Sequence, residues 1–470
     1  MIHSFADDAL GTDDAVGLAD RLARGEVSSL ELVDAAIART ERVADSLGAL
    51  AVADFERARQ VAGEQDAARP SGVFAGLPTF VKDNVAVAGL PIGNGCDAYV
   101  GRPSRADGEL ARTLRATGMV FLGKTQLSEF GFSASAEHAR LGPVRNPWDP
   151  AYTAGASSSG SAALVAAGAV PLAHANDGGG SIRIPASVCG LVGLKPTRGR
   201  IPEDQLYRQM PVRIVADGVL TRSVRDTATF LGEAERIARN RSLPPVGTVR
   251  TPSARRLKVA VLTSSLRQEA SEGVRRITDE TAGLLADLGH HVEAIEQPLP
   301  EQFADDFLVF WASMAQVILA TGRAQHGSTW DAKKCDPLTR GLAAYSRRTA
   351  HRLPGVIRRL HRAKTMSAKA FAGYDVVLSP TLAHETPRLG HLDPSLGYDT
   401  VIQRLLEWVA FTPLANASGE PALSLPLGSD AQGLPVGMHF SAAWGEEALL
   451  LRLAYELEQA RPWGRLGASN

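Results

Sequence analysis

The stretch NDGGGSIRIPASVCGLVGLKPTRGR, residues 176–200, carries the most informative pattern in this chain of 470 residues. It contains three consecutive glycines, Gly178, Gly179 and Gly180, directly before Ser181. Three glycines lose more backbone entropy on folding than a tight turn requires. Because they carry no side chains, however, their N–H groups can turn toward one point and form a concavity that binds an anion. The row therefore predicts either an oxyanion site beside a nucleophilic serine or a flexible turn.

Two stretches upstream favour the first interpretation. A serine cluster, TAGASSSGSAA, occupies residues 153–163 just before a helix of small residues, and Lys82 follows the apolar segment PTFV. A lysine in an apolar setting is desolvated, which lowers its pKa and allows it to act as a neutral base. Taken singly, the cluster is also compatible with a flexible loop or a helix cap, and Lys82 with a surface position.

The three features occur together, in this order, in one known family. The chain resembles the amidase signature family of serine hydrolases, with the strongest likeness over residues 76–200 and the most specific match in the block 176–200. The other matching motifs are LPTFVKDN (77–84), GKT (123–125), RNPWDP (145–150), GASSSGS (155–161), DGVLTRSVRD (217–226), DVVLSPT (375–381) and ASGEPALSLPLG (417–428).

The resemblance implies a Ser–cis-Ser–Lys catalytic triad. Carried over motif by motif, it places the nucleophile on Ser181, the bridging serine on Ser157 and the base on Lys82. Ser157 is the first serine after the paired small residues of the GASSSG cluster, which favours it over the two serines that follow. The resemblance also implies a non-proline cis peptide bond near Ser157.

The same resemblance implies roles for the residues around the triad. The N–H groups of Gly178, Gly179, Gly180 and Ser181 are expected to hold the oxyanion, and Gly131 to offer a backbone carbonyl to the substrate. Asp177 and Arg183 are expected to support the glycine loop through hydrogen bonds or an ion pair. The departures from the common family pattern, none of which removes a catalytic group, are Gln126, Ala156, Ser159, Asn176 and Gly178.

The implied function is that of an acylamide amidohydrolase, which hydrolyses the C–N bond of a small carboxamide to an acid and ammonia or an amine. The reaction proceeds through an acyl-enzyme and needs no cofactor or metal. Within the family the chain is similar to bacterial amidases that act on aryl, aliphatic or nylon-oligomer amides. The alternative is the glutaminase subunit of a glutamyl-tRNA(Gln)/aspartyl-tRNA(Asn) amidotransferase, which acts with a partner subunit. A catalytically silent binding protein would lack a triad residue, and none is lacking.

The composition predicts a cytoplasmic protein with no nucleic-acid or membrane partner. The formal net charge is −1, so no global field attracts nucleic acid or an anionic membrane surface. Cys96, Cys189 and Cys335 are odd in number and widely spaced, which is typical of neither a disulfide framework nor a CxxC metal site. We find no signal peptide and no apolar run of about 18 residues. A homodimer is compatible with the resemblance.

Alternating helix and strand patterns predict an α/β fold. The resemblance makes this a large mixed, mostly parallel, twisted β-sheet covered by α-helices on both faces. One domain is expected over 1–470: N-terminal helices (1–70), the signature core (71–240) and a C-terminal part (241–470) with a variable substrate-pocket region at about 300–370. In that region, the segment FLVFWASMAQVILATG is compatible with a role in an acyl pocket or in helix packing. The same two roles are open for Trp408 and Phe411, farther along the chain.

Overall fold

A computed structural model describes residues 1–68 and 71–467. The α-helices are α1 (Ala15–Ala23), α2 (Ser29–Leu47), α3 (Phe55–Ala68), α4 (Glu109–Ala116), α5 (Ser159–Ala166), α6 (Arg183–Cys189), α7 (Gln205–Arg208), α8 (Val224–Ile237), α9 (Glu272–Asp287), α10 (Gln302–His326), α11 (Pro337–Thr349), α12 (Leu353–Leu360), α13 (Ala363–Ala370), α14 (Tyr398–Trp408), α15 (Pro413–Ser418) and α16 (Glu447–Ala460). The strands are β1 (Leu50–Ala53), β2 (Pro78–Lys82), β3 (Val120–Thr125), β4 (Glu137–His138), β5 (Gly142–Pro143), β6 (Leu172–Asp177), β7 (Val192–Lys195), β8 (Ala216–Thr221), β9 (Lys258–Val261), β10 (His291–Ala294), β11 (Val376–Pro380), β12 (Ala422–Ser429) and β13 (Pro435–Ala442). Short 3-10 turns lie at Glu129–Gly131, Gly327–Thr329, Ala332–Lys334, Ala350–Arg352 and Pro394–Leu396.

The largest sheet has eight strands in the order β10-β9-β11-β13-β12-β7-β8-β6. It is mixed, as predicted, but the prediction of a mostly parallel sheet is wrong. Only β10–β9 and β9–β11 are parallel neighbours, and the other pairs are antiparallel. α6 lies between β6 and β7 in the sequence, and these two strands run in the same direction. In the sheet, β8 lies between them and is antiparallel to both. Alternation of helices and strands along the chain does not reveal such an insertion.

Helices cover both faces of this sheet, as predicted. Successive residues of a strand point to opposite faces. In β13, a Cβ at Gly437 would meet Ser187 of α6, whereas the next residue, Met438, accepts a hydrogen bond from Thr278 of α9. α6 and α9 therefore pack on opposite sides of β13.

A second, three-stranded sheet brings Lys82 to the edge of the large one. Its order is β1-β3-β2, with β2 and β3 parallel. Thr79 donates its hydroxyl to the backbone oxygen of Leu172 in β6 at 3.1 Å. Farther along β2, the N–H of Lys82 donates to His174 Nδ1 at 3.3 Å. These contacts hold the end of β2 against β6, the strand that leads into the glycine row.

Local sequence signals account for several elements. The sequence SSLE at residues 28–31 has the spacing of a capping box between Ser28 and Glu31, and this capping box forms at the start of α2. The apolar segments PTFV, LKVAVL, DVVLSPT and EPALSLPLG are typical of short buried strands, and a strand lies in each of them. The division of the chain at residues 70 and 240 stays a prediction.

One helix has the length and composition of a membrane span, although no apolar run in the sequence predicted one. Within the described ranges, Gln302–Thr329 spans 28 residues and is long and apolar enough, by length and composition only, to cross a membrane. Most of this segment is α10, which packs against α11 and α12. Its apolar residues also border a cavity described below.

Candidate active site

Lys82 is the last residue of β2, and its side chain is fully buried. Its Nζ donates hydrogen bonds to Ser157 Oγ at 2.7 Å and to Asn176 Oδ1 at 2.8 Å. Burial lowers the pKa of Lys82 to about 7, against the opposing attraction of the Asp177 and Asp217 carboxylates. A large fraction of this amine is therefore neutral near pH 7 and able to accept a proton.

Ser157 lies just before α5, in the tight loop of the serine cluster. The peptide bond between Ala156 and Ser157 is cis, as the resemblance implied. Gly131 lies opposite the Ser157 hydroxyl: a Cβ at this glycine would be 3.3 Å from Ser157 Oγ. Gly131 also has a φ of +78°, which favours glycine. A side chain at position 131 would therefore crowd the bridging hydroxyl.

Ser181 follows β6 and is 9% exposed. It borders a cavity of about 540 Å³ that Ser157 and Gly131 also border. In the part of the chain that the structure describes, the Ser181 hydroxyl makes no hydrogen bond to Ser157. The structure thus brings Lys82 and Ser157 into a hydrogen bond and places Ser181 at the same cavity.

The three glycines before Ser181 have different surroundings. Gly180 has a φ of +135°, and a Cβ there would lie 2.5 Å from Thr412 Oγ1. Its N–H donates to Asp177 Oδ1 at 2.7 Å, so it does not point at an oxyanion, contrary to expectation. The N–H groups of Gly178, Gly179 and Ser181 make no hydrogen bond within residues 1–68 and 71–467. These three remain as candidate oxyanion donors.

Asp177 and Arg183 form a buried bidentate ion pair on the inner side of this loop. Both carboxylate oxygens accept from the guanidinium, each at 2.9 Å. Asp177 also accepts the N–H groups of Gly180 and Ile182. Burial by itself raises the pKa of Asp177, but the Arg183 charge and hydrogen bonds outweigh burial and hold that pKa below its usual value. The carboxylate is therefore charged and fixes the turn on which Ser181 lies.

Arg183 is in turn held by the C-terminal part of the chain. Its guanidinium donates to Thr412 O and to His439 Nε2, both at 2.9 Å, and to Asn416 Oδ1 at 2.7 Å. Burial, followed by the charge of Arg183, lowers the pKa of His439 well below its usual value. A neutral His439 with its proton on Nδ1 can accept this hydrogen bond, because its Nε2 then carries a free lone pair.

Sequence reasoning missed three residues of this site. Asn176 was noted as a departure from the family pattern, but not as the second acceptor for Lys82 Nζ. Asn416 lies immediately before the matching motif 417–428, and His439 lies in no motif that we recognised. Adjacency to a motif was a signal for Asn416, whereas nothing in the sequence pointed to His439.

Apolar side chains form most of the cavity wall. The segment FLVFWASMAQVILATG contributes both to the cavity wall and to helix packing. Phe307, Trp311 and Met314 border the cavity, whereas Phe310 is buried in the core. Trp408 and Phe411 are buried and are not among the lining residues. Further apolar residues at the wall include Phe130, Phe132, Ile184, Ile214, Val215, Leu266, Phe303, Ile318, Leu405 and Val409.

Known proteins that are similar to this chain include amidases and a cyclic-dimer hydrolase. The Amidase family profile matches residues 31–451. A Mycobacterium leprae protein assigned as the amidase AmiC is 58% identical over 466 residues, which is 99% of this chain and 98% of that protein. The 6-aminohexanoate-cyclic-dimer hydrolase of Paenarthrobacter ureafaciens is 34% identical over 495 residues, covering 96% of this chain and 95% of that enzyme. A solved structure of 6-aminohexanoate cyclic dimer hydrolase complexed with substrate superposes with a TM-score of 0.85 at 31% identity, over 97% of this chain and 98% of that one.

Proposed function

The chain belongs to the amidase family, and we propose that it hydrolyses uncharged, largely apolar carboxamides through an acyl-enzyme on Ser181. Lys82 is the base and Ser157 passes the proton between the two. The observation that carries this proposal is the 2.7 Å hydrogen bond from Lys82 Nζ to Ser157 Oγ, at a cavity that Ser181 also borders.

Acylation begins with the neutral amine of Lys82. Lys82 accepts the proton of Ser157 Oγ as Ser157 accepts the proton of Ser181, whose Oγ attacks the amide carbonyl carbon. The contact between the two serines forms when substrate binds, as catalytic hydrogen bonds often do. The N–H groups of Gly178, Gly179 and Ser181 stabilise the oxyanion of the tetrahedral intermediate.

The relay then runs in the opposite direction. Ser157 donates a proton to the leaving nitrogen and recovers one from the Lys82 ammonium, and the C–N bond breaks. Water attacks the acyl-enzyme with the same residues acting as base, which releases the acid and restores the Ser181 hydroxyl. No net proton is left on Lys82 after one turnover.

The cavity supports an uncharged substrate. Its charged lining residues are Arg267 and Asp305, which pair with each other at 3.0 Å at the half-exposed rim. The rest of the described lining is apolar or neutral, so an ionised substrate would lose hydration without gaining a partner. The name of the relative at 34% identity, 6-aminohexanoate-cyclic-dimer hydrolase, is in keeping with an uncharged amide.

The alternative, a glutaminase subunit of an amidotransferase, is less well supported. Glutamine carries an ammonium and a carboxylate, for which this cavity offers no unpaired charged side chain among the described residues. The two relatives described above carry the names amidase and cyclic-dimer hydrolase.

Initial rates on matched pairs of amides test the proposal. Each pair combines an apolar amide with an analogue that carries a carboxylate or an ammonium, and glutamine is included. Purified enzyme is expected to hydrolyse the neutral members, with kcat/KM at least tenfold above their charged analogues, and Ser181→Ala to hydrolyse none. Hydrolysis of glutamine alone, or of nothing without a partner subunit, would overturn the proposal.

A further inference from the structure

Cys96, Glu129 and Cys335 meet behind one wall of the cavity, although they are far apart in the sequence. The two Sγ atoms and a carboxylate oxygen of Glu129 all lie within 4.8 Å of one another. All three residues are buried, at 7%, 6% and 1% exposure. The reaction described above uses none of these side chains.

The cluster lacks positive charge. Among the residues that the structure describes, Glu129 has no Lys, Arg or His side chain within 4.0 Å of its carboxylate oxygens. Its Oε1 accepts the N–H of Asp336 at 2.8 Å, and the Asp336 carboxylate, also buried, lies 4.0 Å from His138 Nδ1. The nearby Arg140 pairs with Asp97 instead. A buried carboxylate is costly unless a cation or a proton neutralises it.

We propose that Cys96, Glu129 and Cys335 bind a soft divalent cation, for which Zn²⁺ is the probe. Thiolate and carboxylate are both zinc ligands, at about 2.3 Å for sulfur and about 2.0–2.2 Å for oxygen. Ligands at these distances around one ion lie roughly 3.5–4 Å apart, so the cluster needs only a small contraction. Binding releases the two thiol protons, and any proton held by the Glu129 carboxyl, to solvent, and a water molecule completes four-coordination.

A cation at this place would join three segments of the cavity wall. Cys96 lies two residues after Asn94, and Glu129 two residues before Gly131, both of which border the cavity. The Glu129–Gly131 turn is already tied to the first segment, because the N–H of Phe130 donates to Asn94 O at 2.9 Å.

The third ligand belongs to the segment that follows α10. There His326 stacks on Tyr99 with 3.7 Å between the ring centroids, and the N–H of Asp331 donates to Ala98 O at 2.7 Å. The site would therefore stabilise the wall and the position of Gly131, without touching the reacting atoms.

The remaining cysteine is a matched control. Cys189 is also buried, but its Sγ donates to Ala154 O at 3.4 Å and it is not part of the cluster. Wild type, Cys96→Ser/Cys335→Ser and Cys189→Ala are purified under reducing conditions, incubated with Zn²⁺ and desalted. Bound metal is measured by elemental mass spectrometry, and free thiols are counted after denaturation with a chelator.

We expect about one zinc per chain for wild type and for Cys189→Ala, and none for Cys96→Ser/Cys335→Ser. Zinc should raise the Tm of wild type and of Cys189→Ala, but not that of Cys96→Ser/Cys335→Ser. If the double variant does not fold, Glu129→Gln takes its place and should bind zinc more weakly than wild type, because a neutral amide replaces the carboxylate ligand. Wild type that binds no zinc and shows three free thiols would overturn the proposal. So would a Cys96–Cys335 disulfide, detected under the same conditions as a mass lower by two hydrogen atoms.

Discussion

Asn416 donates from Nδ2 to both the backbone oxygen and the carboxylate Oδ1 of Asp177, at 2.9 and 2.8 Å. Its own Oδ1 accepts from Arg183, which is bound to the same carboxylate. A residue near the C-terminal end of the chain thus completes the support of the loop that carries Ser181. All of these side chains are buried, so water does not replace a lost partner readily.

We predict that Asn416→Ala lowers kcat while the nucleophile and its base remain. The change removes hydrogen bonds from buried polar atoms of Asp177 and Arg183, at a cost of about 1–3 kcal/mol in the free energy of unfolding. Displacement of the Ser181 loop should reduce kcat by roughly 10- to 100-fold. Steady-state kinetics and thermal unfolding measure both effects. A variant with wild-type kcat would show that this support does not matter for catalysis.

The lowered pKa of Lys82 predicts the pH dependence of the reaction. Lys82 accepts a proton only when it is neutral, so kcat/KM should rise with pH through about 7 and fall tenfold per pH unit well below that value. Initial rates from pH 5 to 9 on an amide that does not titrate give this profile. A flat profile down to pH 5 would contradict the assignment of the base.

A second buried lysine provides the control for that profile. Burial also lowers the pKa of Lys195 to about 7, but its Nζ donates to Pro196 O at 2.8 Å and it does not border the cavity. Lys195→Met should therefore leave the midpoint of the profile unchanged. A midpoint that moves in this variant would assign the titration to Lys195 instead.

Substitutions at two neighbouring serines distinguish the proton relay from the residues packed around it. Ser157→Ala removes the acceptor that links Lys82 to Ser181, and we expect kcat to fall by at least about 10³-fold. Ser158 is buried next to it but donates to Asn176 O at 3.2 Å. Ser158→Ala should lose a single hydrogen bond, about 1 kcal/mol of stability, and most of the enzyme's activity should remain. Equal losses of kcat in the two variants would contradict the relay.

Substitutions at two phenylalanines of α10 distinguish a residue that binds substrate from one that only packs in the core. Phe307 borders the cavity, so Phe307→Ala should raise KM for apolar amides by roughly tenfold. Because this side chain is also buried, the free energy of unfolding should fall as well. Phe310 is 1% exposed and lies in the core, so Phe310→Ala should lower the free energy of unfolding by about 3–5 kcal/mol and leave KM unchanged. The opposite pattern, measured by kinetics and chemical denaturation, would mean that α10 does not form the substrate wall.

Much of the fold and the site could be predicted from local sequence. Apolar segments between glycines and prolines mark strands such as β2, β9 and β11, because short buried strands need continuous apolar residues. The glycine row, the serine cluster and Lys82 could be found because each is an unusual local composition whose chemistry is known. Their order along the chain then identified the family.

What could not be predicted depends on contacts between distant segments. The position of β8 between β6 and β7 depends on tertiary contacts, and the local sequence pattern does not indicate it. Gly180 is an example at the site. The sequence shows that it belongs to the glycine row, but only the structure shows that its N–H donates a hydrogen bond to Asp177. Cys96 and Cys335 are isolated in the sequence and become neighbours only when the loops around α10 fold.

Labelling with a fluorophosphonate probe, read by intact-mass spectrometry, shows whether Ser181 is an activated nucleophile. We expect one covalent adduct on wild type, which is lost in Ser181→Ala. Ser133 and Ser265 also border the cavity, so Ser133→Ala and Ser265→Ala should each retain the adduct. No adduct on wild type, or an adduct that persists in Ser181→Ala, would contradict the assignment of Ser181 as the activated nucleophile.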